Sequence, residues 1–276
     1  MIDMKRIHRI YFYIVAAILM LIFAFTDLQI SLAVVNQKSL FGRFFETFGE
    51  APLFIMFCFS TVFLFIHLKQ EKLTRIIIIR ILMIPGMIIG GMFTLHQWVR
   101  YLTEYITGEK ASGPWMVILI IIPVLICIPF AIKVKQENIE KVKRFAVYCI
   151  IYFIAAQVIS SVIKVPWGRM RYREMIDPHL QFTPWYLPQG ITGSRSFPSG
   201  HTFNSCGTLI LLYLPRLSEK FRGKEKALTI MCILWIVLVA LSRVIIGAHF
   251  ASDVTMGAVL GVTLYTTMNS KHRFID

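Results

Sequence analysis

Long runs of apolar residues are the feature that most restricts how this chain of 276 residues can fold. A helix that crosses a bilayer needs about 20 mostly apolar residues, because every backbone polar group in lipid must be bonded within the segment. Hydrophobic residues make up 57% of the sequence and charged residues 16%, whereas soluble domains average about a quarter charged residues. The pattern excludes an ordinary soluble domain and predicts a helical membrane protein.

Eight segments approach the length of a membrane span. They lie at approximately residues 10–26, 51–68, 76–97, 114–133, 145–163, 201–215, 227–242 and 253–268. We therefore predict an all-α fold, a polytopic transmembrane bundle of about eight helices that forms a single integral membrane domain over residues 1–276.

The chain is strongly basic, with 29 Lys and Arg residues against 15 Asp and Glu. If the amino terminus is cytoplasmic and all eight segments span, basic stretches such as 133–144 and 216–226 fall in cytoplasmic loops. Further cytoplasmic cations would be Lys5, Lys69, Lys72, Lys271 and Arg273. This positive-inside pattern explains the charge without nucleic acid as a partner, and it predicts a plasma membrane protein with both termini in the cytoplasm.

The cysteine pattern argues against a disulfide framework and a metal centre. Each cysteine lies singly in an apolar run, and no CxxC pair occurs. The five residues are Cys58, Cys127, Cys149, Cys206 and Cys232. We expect buried thiols with a packing role.

Three polar clusters interrupt the apolar pattern, each at the outer end of a predicted span. Lys164 ends the fifth segment, and Arg171 follows it. The stretch FPSGHTFNS at 197–205 opens the sixth segment, and SRVIIGAHFASD at 242–253 joins the seventh to the eighth. Because successive spans alternate in direction, all three clusters are predicted to lie on the extracytoplasmic face.

The first chemistry that these clusters offer is anion binding. A helix that begins at Ser199 and Gly200 would present unbonded backbone amides, although the serine may equally be a simple helix cap. Lys164, Arg171 and Arg243 add positive charge, and arginine in particular matches the oxygens of a phosphate. For each cation considered alone, the simpler interpretation is that its side chain extends to the lipid headgroups.

The second chemistry is nucleophilic catalysis. His249 and Asp253 are four residues apart and would share one face of a helix. A carboxylate that accepts a hydrogen bond from one ring nitrogen directs the other nitrogen at a substrate. His201 supplies a second imidazole that can protonate a leaving group. The outer face offers no tight set of carboxylates, so we expect no metal.

These residues resemble the active-site pattern of the type 2 phosphatidic acid phosphatases, membrane lipid phosphate phosphatases related to bacterial acid phosphatases and vanadium haloperoxidases. The family pattern is K-x6-R-P, then P-S-G-H, then S-R-x5-H-x3-D, and it matches residues 164–171, 198–201 and 242–253 in order and spacing. Tyr172 stands where the family usually has proline. Arg169 and Arg173 flank Arg171, so either could share its role.

The resemblance implies that His249 is the nucleophile and forms a phosphohistidine, that Asp253 holds its imidazole, and that His201 is the general acid. The phosphate-binding residues that it implies are Lys164, Arg171, Ser199, Gly200 and Arg243. The family needs no metal or organic cofactor. The resemblance covers approximately 145–268, the predicted catalytic core, and assigns no role to the spans within residues 1–144.

We therefore expect a phosphatase that acts on a membrane lipid phosphate or pyrophosphate of the outer leaflet. Phosphatidate, phosphatidylglycerol phosphate, diacylglycerol pyrophosphate and polyprenyl pyrophosphate all fit the resemblance. A lipid phosphotransferase with the same site is the near alternative. A lipid transporter or scramblase is the alternative from another class, but it would place ionisable residues near the middle of the bilayer rather than at one face.

Overall fold

The computed structural model describes residues 6–68 and 73–270, which form helices and loops without a β-strand. The predicted helical fold class is confirmed for this part of the chain. Some of the cations that support the predicted membrane orientation are not among these residues. The cations Lys5, Lys69, Lys72, Lys271 and Arg273 lie outside the described residues.

Twelve α-helices occur in the described ranges. They are α1 (Arg6–Val34), α2 (Leu40–Phe48), α3 (Ala51–His67), α4 (Leu73–Gly91), α5 (Gln97–Thr107), α6 (Met116–Ile132), α7 (Ile139–Trp167), α8 (Pro178–Gln181), α9 (Gly200–Ser205), α10 (Leu214–Leu217), α11 (Glu225–Ile245) and α12 (Ala251–Ser270). A π-helical turn at Met92–His96 connects α4 to α5, and a 3-10 helix at Cys206–Tyr213 connects α9 to α10.

Five helical stretches of the described chain are long and apolar enough to cross a membrane. They are His8–Val34, Leu40–His67, Thr74–Thr107, Gln136–Trp167 and Glu225–Ile245. Helix α6 is apolar but shorter. These stretches are consistent with a helical membrane bundle, and the count of eight spans remains a prediction.

The sixth and eighth predicted segments differ from the five long apolar stretches. The sixth is divided into α9, the 3-10 helix Cys206–Tyr213 and α10. The eighth is α12, which carries several Ser and Thr residues and packs against α1, α9 and α11. A helix enclosed by other helices can carry polar side chains because its neighbours shield them from lipid. This explains why α12 is less apolar than the helices around it.

The amino-terminal helices pack directly on the carboxy-terminal ones. Helix α3 lies against α4, α6 and α7, while α1 packs on α12 and α2 packs on α11. Tyr148 and Tyr152 of α7 are fully buried in the core that these contacts form, together with Phe203 of α9. All five cysteines are buried free thiols, as expected from their apolar surroundings.

One glycine on α12 allows α9 to approach closely. A Cβ atom at Gly257 would lie 2.6 Å from the carbonyl oxygen of Ser199 and 3.2 Å from Cβ of Thr202. The first distance is shorter than any stable contact, so the backbone before α9 would have to move. Gly257 therefore sets the distance between α12 and the start of α9.

We expect the substitution Gly257→Ala to lower both thermal stability and activity, because overpacking a close backbone contact costs about 1–3 kcal/mol. The measurement is the midpoint of thermal unfolding of the full chain in detergent. Ile230→Val, at an exposed position on α11, serves as the control and should change the midpoint little. Equal midpoints for the two variants would contradict this account of the α9–α12 contact.

Candidate active site

The three polar segments meet at one end of the bundle. Helix α7 ends just after Lys164, α9 begins at Gly200, α11 ends just after Arg243, and α12 begins before Asp253. The backbone N–H of Ser199 donates to the carbonyl oxygen of Asp253 at 2.9 Å, which joins the second segment to the third. A Cβ atom at Gly200 would lie 4.0 Å from Nζ of Lys164, which brings the first segment beside the second.

His249 does not lie on the same helix as Asp253, so that part of the expectation was wrong. Helix α12 begins only at Ala251, and His249 belongs to the turn between α11 and α12. Gly247 adopts a φ of 66°, a left-handed conformation that glycine tolerates and that reverses the chain after α11. The turn still brings Nδ1 of His249 to 3.6 Å from Oδ2 of Asp253.

The carboxylate of Asp253 is held by three donors and is fully buried. Its Oδ1 accepts a hydrogen bond from the guanidinium of Arg169 at 2.6 Å. Its Oδ2 accepts from the hydroxyl of Ser196 at 2.5 Å and from the backbone N–H of Phe250 at 2.9 Å. These bonds direct Oδ2 towards His249 and leave the carboxylate little freedom to rotate.

The surroundings of His249 keep its imidazole neutral. The residue is 4% exposed, and its burial lowers the pKa to about 3. The negative charge of Asp253, 3.6 Å away, acts in the opposite direction, while the nearby cations Lys164 and Arg171 lower the pKa further. An imidazole that is neutral at physiological pH has an unprotonated nitrogen available for attack on an electrophile.

Arg243 is a buried cation with unused hydrogen-bonding capacity. It is 1% exposed, and its Nε and one terminal nitrogen have no hydrogen-bond partner among the described residues. Glu46 of α2 lies 3.6 Å from that terminal nitrogen. A guanidinium with free donors inside a site is suited to a multidentate anion such as phosphate.

Ser199 and Lys164 already have partners within the chain. The Ser199 hydroxyl accepts from the backbone N–H of Thr202 at 3.3 Å and so caps α9. The hydroxyl of Thr202 lies 3.0 Å from the same oxygen. The ammonium of Lys164 donates to the carbonyl oxygen of Arg195 at 2.9 Å. These contacts hold both side chains beside Gly200.

His201 faces two acidic residues from the amino-terminal half of the chain. Its Nε2 lies 3.3 Å from Oε2 of Glu50 and 3.3 Å from the backbone oxygen of Glu46. The amide of Asn204 donates to the other Glu50 oxygen at 2.6 Å and fixes that carboxylate. Burial of the ring favours the neutral imidazole, and the Glu50 carboxylate at this distance opposes that effect.

The three arginines of the loop after α7 have different partners. Arg171 is partly exposed and pairs with Glu174 at 2.8 Å. Arg173 pairs with Glu46 at 2.8 Å, and Arg169 is fully buried against Asp253. The charge of Arg171 acts on His249, while Arg169 contacts the carboxylate that faces the histidine.

Aromatic residues fasten the long loop at 168–199 over this end of the bundle. The indole N–H of Trp167 donates to the carbonyl oxygen of Trp185 at 2.6 Å, and the indole N–H of Trp185 donates to that of Met20 in α1 at 3.0 Å. Phe197 stacks on Trp167 with a distance of 4.7 Å between ring centroids. The loop is thus tied to α1 as well as to α7.

Comparisons with known proteins agree with this arrangement. The model of the PAP2 superfamily matches residues 145–274, a range that contains all three segments. Residues 145–274 belong to the PAP2 superfamily. Phosphatidylglycerophosphatase B of Bacillus subtilis (strain 168) is 37% identical over 84 residues, which are 30% of this chain and 41% of that relative. The chain therefore spans about two fifths of the length of this relative. No solved structure gives a significant match.

Three acidic residues that contact the PAP2 domain lie outside it. Asp27 of α1 reaches Arg169, Glu46 of α2 reaches Arg173 and Arg243, and Glu50 reaches His201. The sequence contained a signal for one of them, because Asp27 is a single acid within the apolar run IFAFTDLQIS. Glu46 and Glu50 stand in a mixed stretch where an acidic residue carries no such signal.

A basic cavity of about 910 Å³ opens beside the PAP2 site and shares Glu46 with it. It lies between α2 and α5 and the loops next to them. Its basic lining residues are Lys38, Arg43, Arg100, Lys110 and Arg173. A smaller pocket of about 300 Å³, lined by apolar residues such as Phe44 and Leu102, adjoins it. The basic cavity and the apolar pocket are therefore next to each other.

Over residues 6–68 and 73–270, no group of three or more His, Cys, Asp and Glu side chains is placed to hold a metal ion. The charges at the site are instead those of the cations described above and of the acidic residues that contact them.

We expect Glu46→Gln to tighten the binding of orthovanadate, a phosphate-like anion. The substitution removes the negative charge that Arg43, Arg173 and Arg243 now face, which leaves a more positive site. A gain of about 1 kcal/mol, or about five-fold in affinity, is the expected size.

Inhibition of turnover or direct calorimetry on the full chain in detergent measures this affinity. Glu109→Gln, at an exposed position, is the matched control and should bind the anion like the wild type. Unchanged or weaker binding by a folded Glu46→Gln variant would contradict the role of Glu46 as a competitor for the cations.

Proposed function

We propose that this protein is an integral membrane phosphatase that hydrolyses a lipid phosphate through a phosphohistidine on His249. The observation that carries the proposal is a buried imidazole that faces a fixed carboxylate and lies among cations. Nδ1 of His249 is 3.6 Å from Asp253, and the charges of Lys164 and Arg171 act on the same ring. Membership in the PAP2 superfamily and the name of the Bacillus subtilis relative, a phosphatidylglycerophosphatase, support the same reaction class.

In the first step Nε2 of His249 attacks the phosphorus of the substrate. An N–P bond forms as the P–O bond to the lipid breaks, and His201 transfers its proton to the departing alkoxide. Asp253 accepts the hydrogen bond from Nδ1–H and stabilises the positive charge that develops on the imidazole. The distance of 3.6 Å shortens by a few tenths of an ångström as this charge appears, because catalytic hydrogen bonds tighten in the reacting complex.

In the second step a water molecule attacks the phosphorus of the phosphohistidine. The N–P bond breaks, inorganic phosphate leaves, and the proton of the water returns to His201, which is ready for another cycle. Glu50 lies 3.3 Å from His201 and stabilises the protonated form that the first step requires.

The cations carry most of the transition-state stabilisation in this proposal. Phosphoryl transfer depends on positioning and on electrostatic stabilisation of the equatorial oxygens. Arg243 has free donors for these oxygens, and Lys164 and Arg171 add positive charge. Ser199 and Gly200 line the same place at the start of α9. With these groups the reaction needs no metal ion.

We further propose that the site faces the extracytoplasmic side of the plasma membrane. Helices α7 and α11 both end at the site, so the loops before them lie at the opposite end of the bundle. Those loops, at 133–138 and 216–224, are rich in Lys and Arg. Since basic loops favour the cytoplasm, the end of the bundle that holds the site would face outward.

Among lipid phosphates, the proposal favours a substrate with a second anionic group, such as phosphatidylglycerol phosphate. The basic cavity lies next to the site and offers Lys38, Arg100 and Lys110, which have no ion pair among the described residues. These cations suit the phosphodiester of such a lipid, whereas phosphatidate has only its terminal phosphate. The apolar pocket beside the cavity suits part of an acyl chain.

We expect His249→Ala to abolish release of phosphate from lipid phosphates, with a loss of at least about 1,000-fold in kcat because the nucleophile is removed. Phosphate release by the purified full chain is measured in mixed micelles, with and without EDTA. The wild type should keep its activity in EDTA, and the exposed-residue control His179→Ala should match the wild type.

Two results would each remove part of this proposal. Substantial hydrolysis by a folded His249→Ala variant would contradict the phosphohistidine, and loss of wild-type activity in EDTA would contradict the metal-free reaction.

We expect Arg100→Gln to lower kcat/KM for phosphatidylglycerol phosphate about five-fold, which is the effect of one partly solvated phosphate contact. The same variant should act on phosphatidate within about two-fold of the wild type, because that lipid places no second phosphate in the cavity. Arg222→Gln, an exposed arginine near the opposite end of the bundle, is the control. Equal losses on both lipids would argue against binding of a second anionic group in this cavity.

A further inference from the structure

A buried guanidinium joins α1 to the carboxylate that faces the proposed nucleophile. Arg169 is 0% exposed, and its two terminal nitrogens donate to different acids. One donates to Oδ1 of Asp253 at 2.6 Å, and the other donates to Oδ2 of Asp27 at 3.0 Å. Asp27 is 1% exposed and Asp253 is 0% exposed, so both ion pairs are shielded from water.

Ser252 completes this unit from the start of α12. Its backbone N–H donates to Oδ1 of Asp27 at 2.9 Å, and its hydroxyl also contacts the Asp27 carboxylate. The hydroxyl oxygen of Ser252 accepts from Arg169 at 2.9 Å. Asp27 is therefore connected to the residue next to Asp253 as well as to the arginine that holds Asp253.

The rest of Arg169 is fixed just as firmly. Its Nε donates to the carbonyl oxygen of Thr183 at 2.9 Å, and its guanidinium lies over the ring of Phe250 at 4.1 Å from the centroid. Phe250 in turn donates its backbone N–H to Asp253. An arginine with this many partners cannot leave Asp253 to contact substrate, so it acts through the carboxylate.

The location of this unit argues against a purely structural role. Burying two carboxylates and one guanidinium costs several kcal/mol of desolvation, and apolar residues of similar size commonly give equal or greater stability. α1 already packs along α12, with a further tie at the hydroxyls of Tyr13 and Thr263, which are 2.9 Å apart. The costly ion pairs occur instead at the one carboxylate that faces His249.

We propose that Asp27 and Arg169 are positioning residues for the phosphoryl transfer, so that α1, outside the PAP2 domain, is part of the active site. This inference rests on the proposed function. Arg169 holds Oδ1 of Asp253 so that Oδ2 points at His249, and Asp27 holds Arg169. Asp27 also shares the positive charge of Arg169, which leaves Asp253 more of its negative charge to stabilise the imidazole as the N–P bond forms.

The test begins with Asp27→Asn in the full chain, reconstituted in nanodiscs and assayed with a lipid phosphate. We expect kcat to fall about ten- to hundred-fold, the worth of a charge-assisted hydrogen bond, with KM changed less than about three-fold. Rapid-quench measurement of the covalent phosphoenzyme should show that its formation is slowed by the same factor. Tyr13→Phe, which removes an uncharged tie between α1 and α12, is the matched control and should keep the wild-type kcat.

Arg169→Lys is the second variant, because lysine keeps the positive charge but cannot hold two carboxylates in the same geometry. Its kcat should also fall while its KM changes little. This variant therefore tests the proposal even if Asp27→Asn does not fold. A double-mutant cycle with Arg169→Met adds a further measurement. If Asp27 acts through Arg169, the double variant should lose no more than Arg169→Met alone.

The outcomes separate this inference from the proposed function. A wild type that releases no phosphate, or a His249→Ala variant that retains turnover, would overturn the function itself. If the wild type and His249→Ala behave as expected but a folded Asp27→Asn or Arg169→Lys variant keeps the wild-type kcat, the positioning role is wrong. A kcat loss in Tyr13→Phe equal to that in Asp27→Asn, or fully additive losses in the cycle, would also overturn it.

Discussion

The ion pairs of Arg169 with Asp27 and Asp253 are the interaction on which the rest of the site depends. They connect α1 to α12, and they hold the carboxylate that faces His249. Because both acids and the arginine are almost fully buried, each charge is compensated by the others and by nearby hydrogen bonds rather than by water. The geometry of the site is therefore a property of the whole bundle rather than of the segment that carries the motifs.

The same principle extends to the other cations of the site. A pocket for a phosphate needs buried positive charge, and such charge is costly to bury until the substrate arrives. Glu46 faces Arg173 and Arg243, and Glu50 faces His201, so acids from the amino-terminal half offset that cost. Helices α1 to α3 thus do more than cover the PAP2 domain, since they supply the acids that balance its charge.

Much of the architecture could be predicted from the sequence because the rules involved are local. Apolar runs predict helices, since lipid leaves the backbone no other partners, and the helical class is confirmed for the described residues. Three motifs of defined spacing indicated the PAP2 superfamily and identified Lys164, His201 and His249 as candidate site residues. The positions of those residues at one end of the bundle follow from the alternation of helix directions.

What only the tertiary structure decided were the contacts between residues far apart in the chain. Spacing placed His249 on the helix of Asp253, whereas the turn at Gly247 separates them and still brings the two side chains together. Spacing also did not decide whether Arg169 shares the role of Arg171. In the folded protein Arg169 forms ion pairs with Asp253 and Asp27. The sequence by itself determined a helical chain with long apolar stretches and the motif residues of the proposed phosphoryl-transfer site, because hydropathy and motif spacing are local. Which acids meet Arg169 depended on how segments 84 and 142 residues away from it pack, and no local pattern records that.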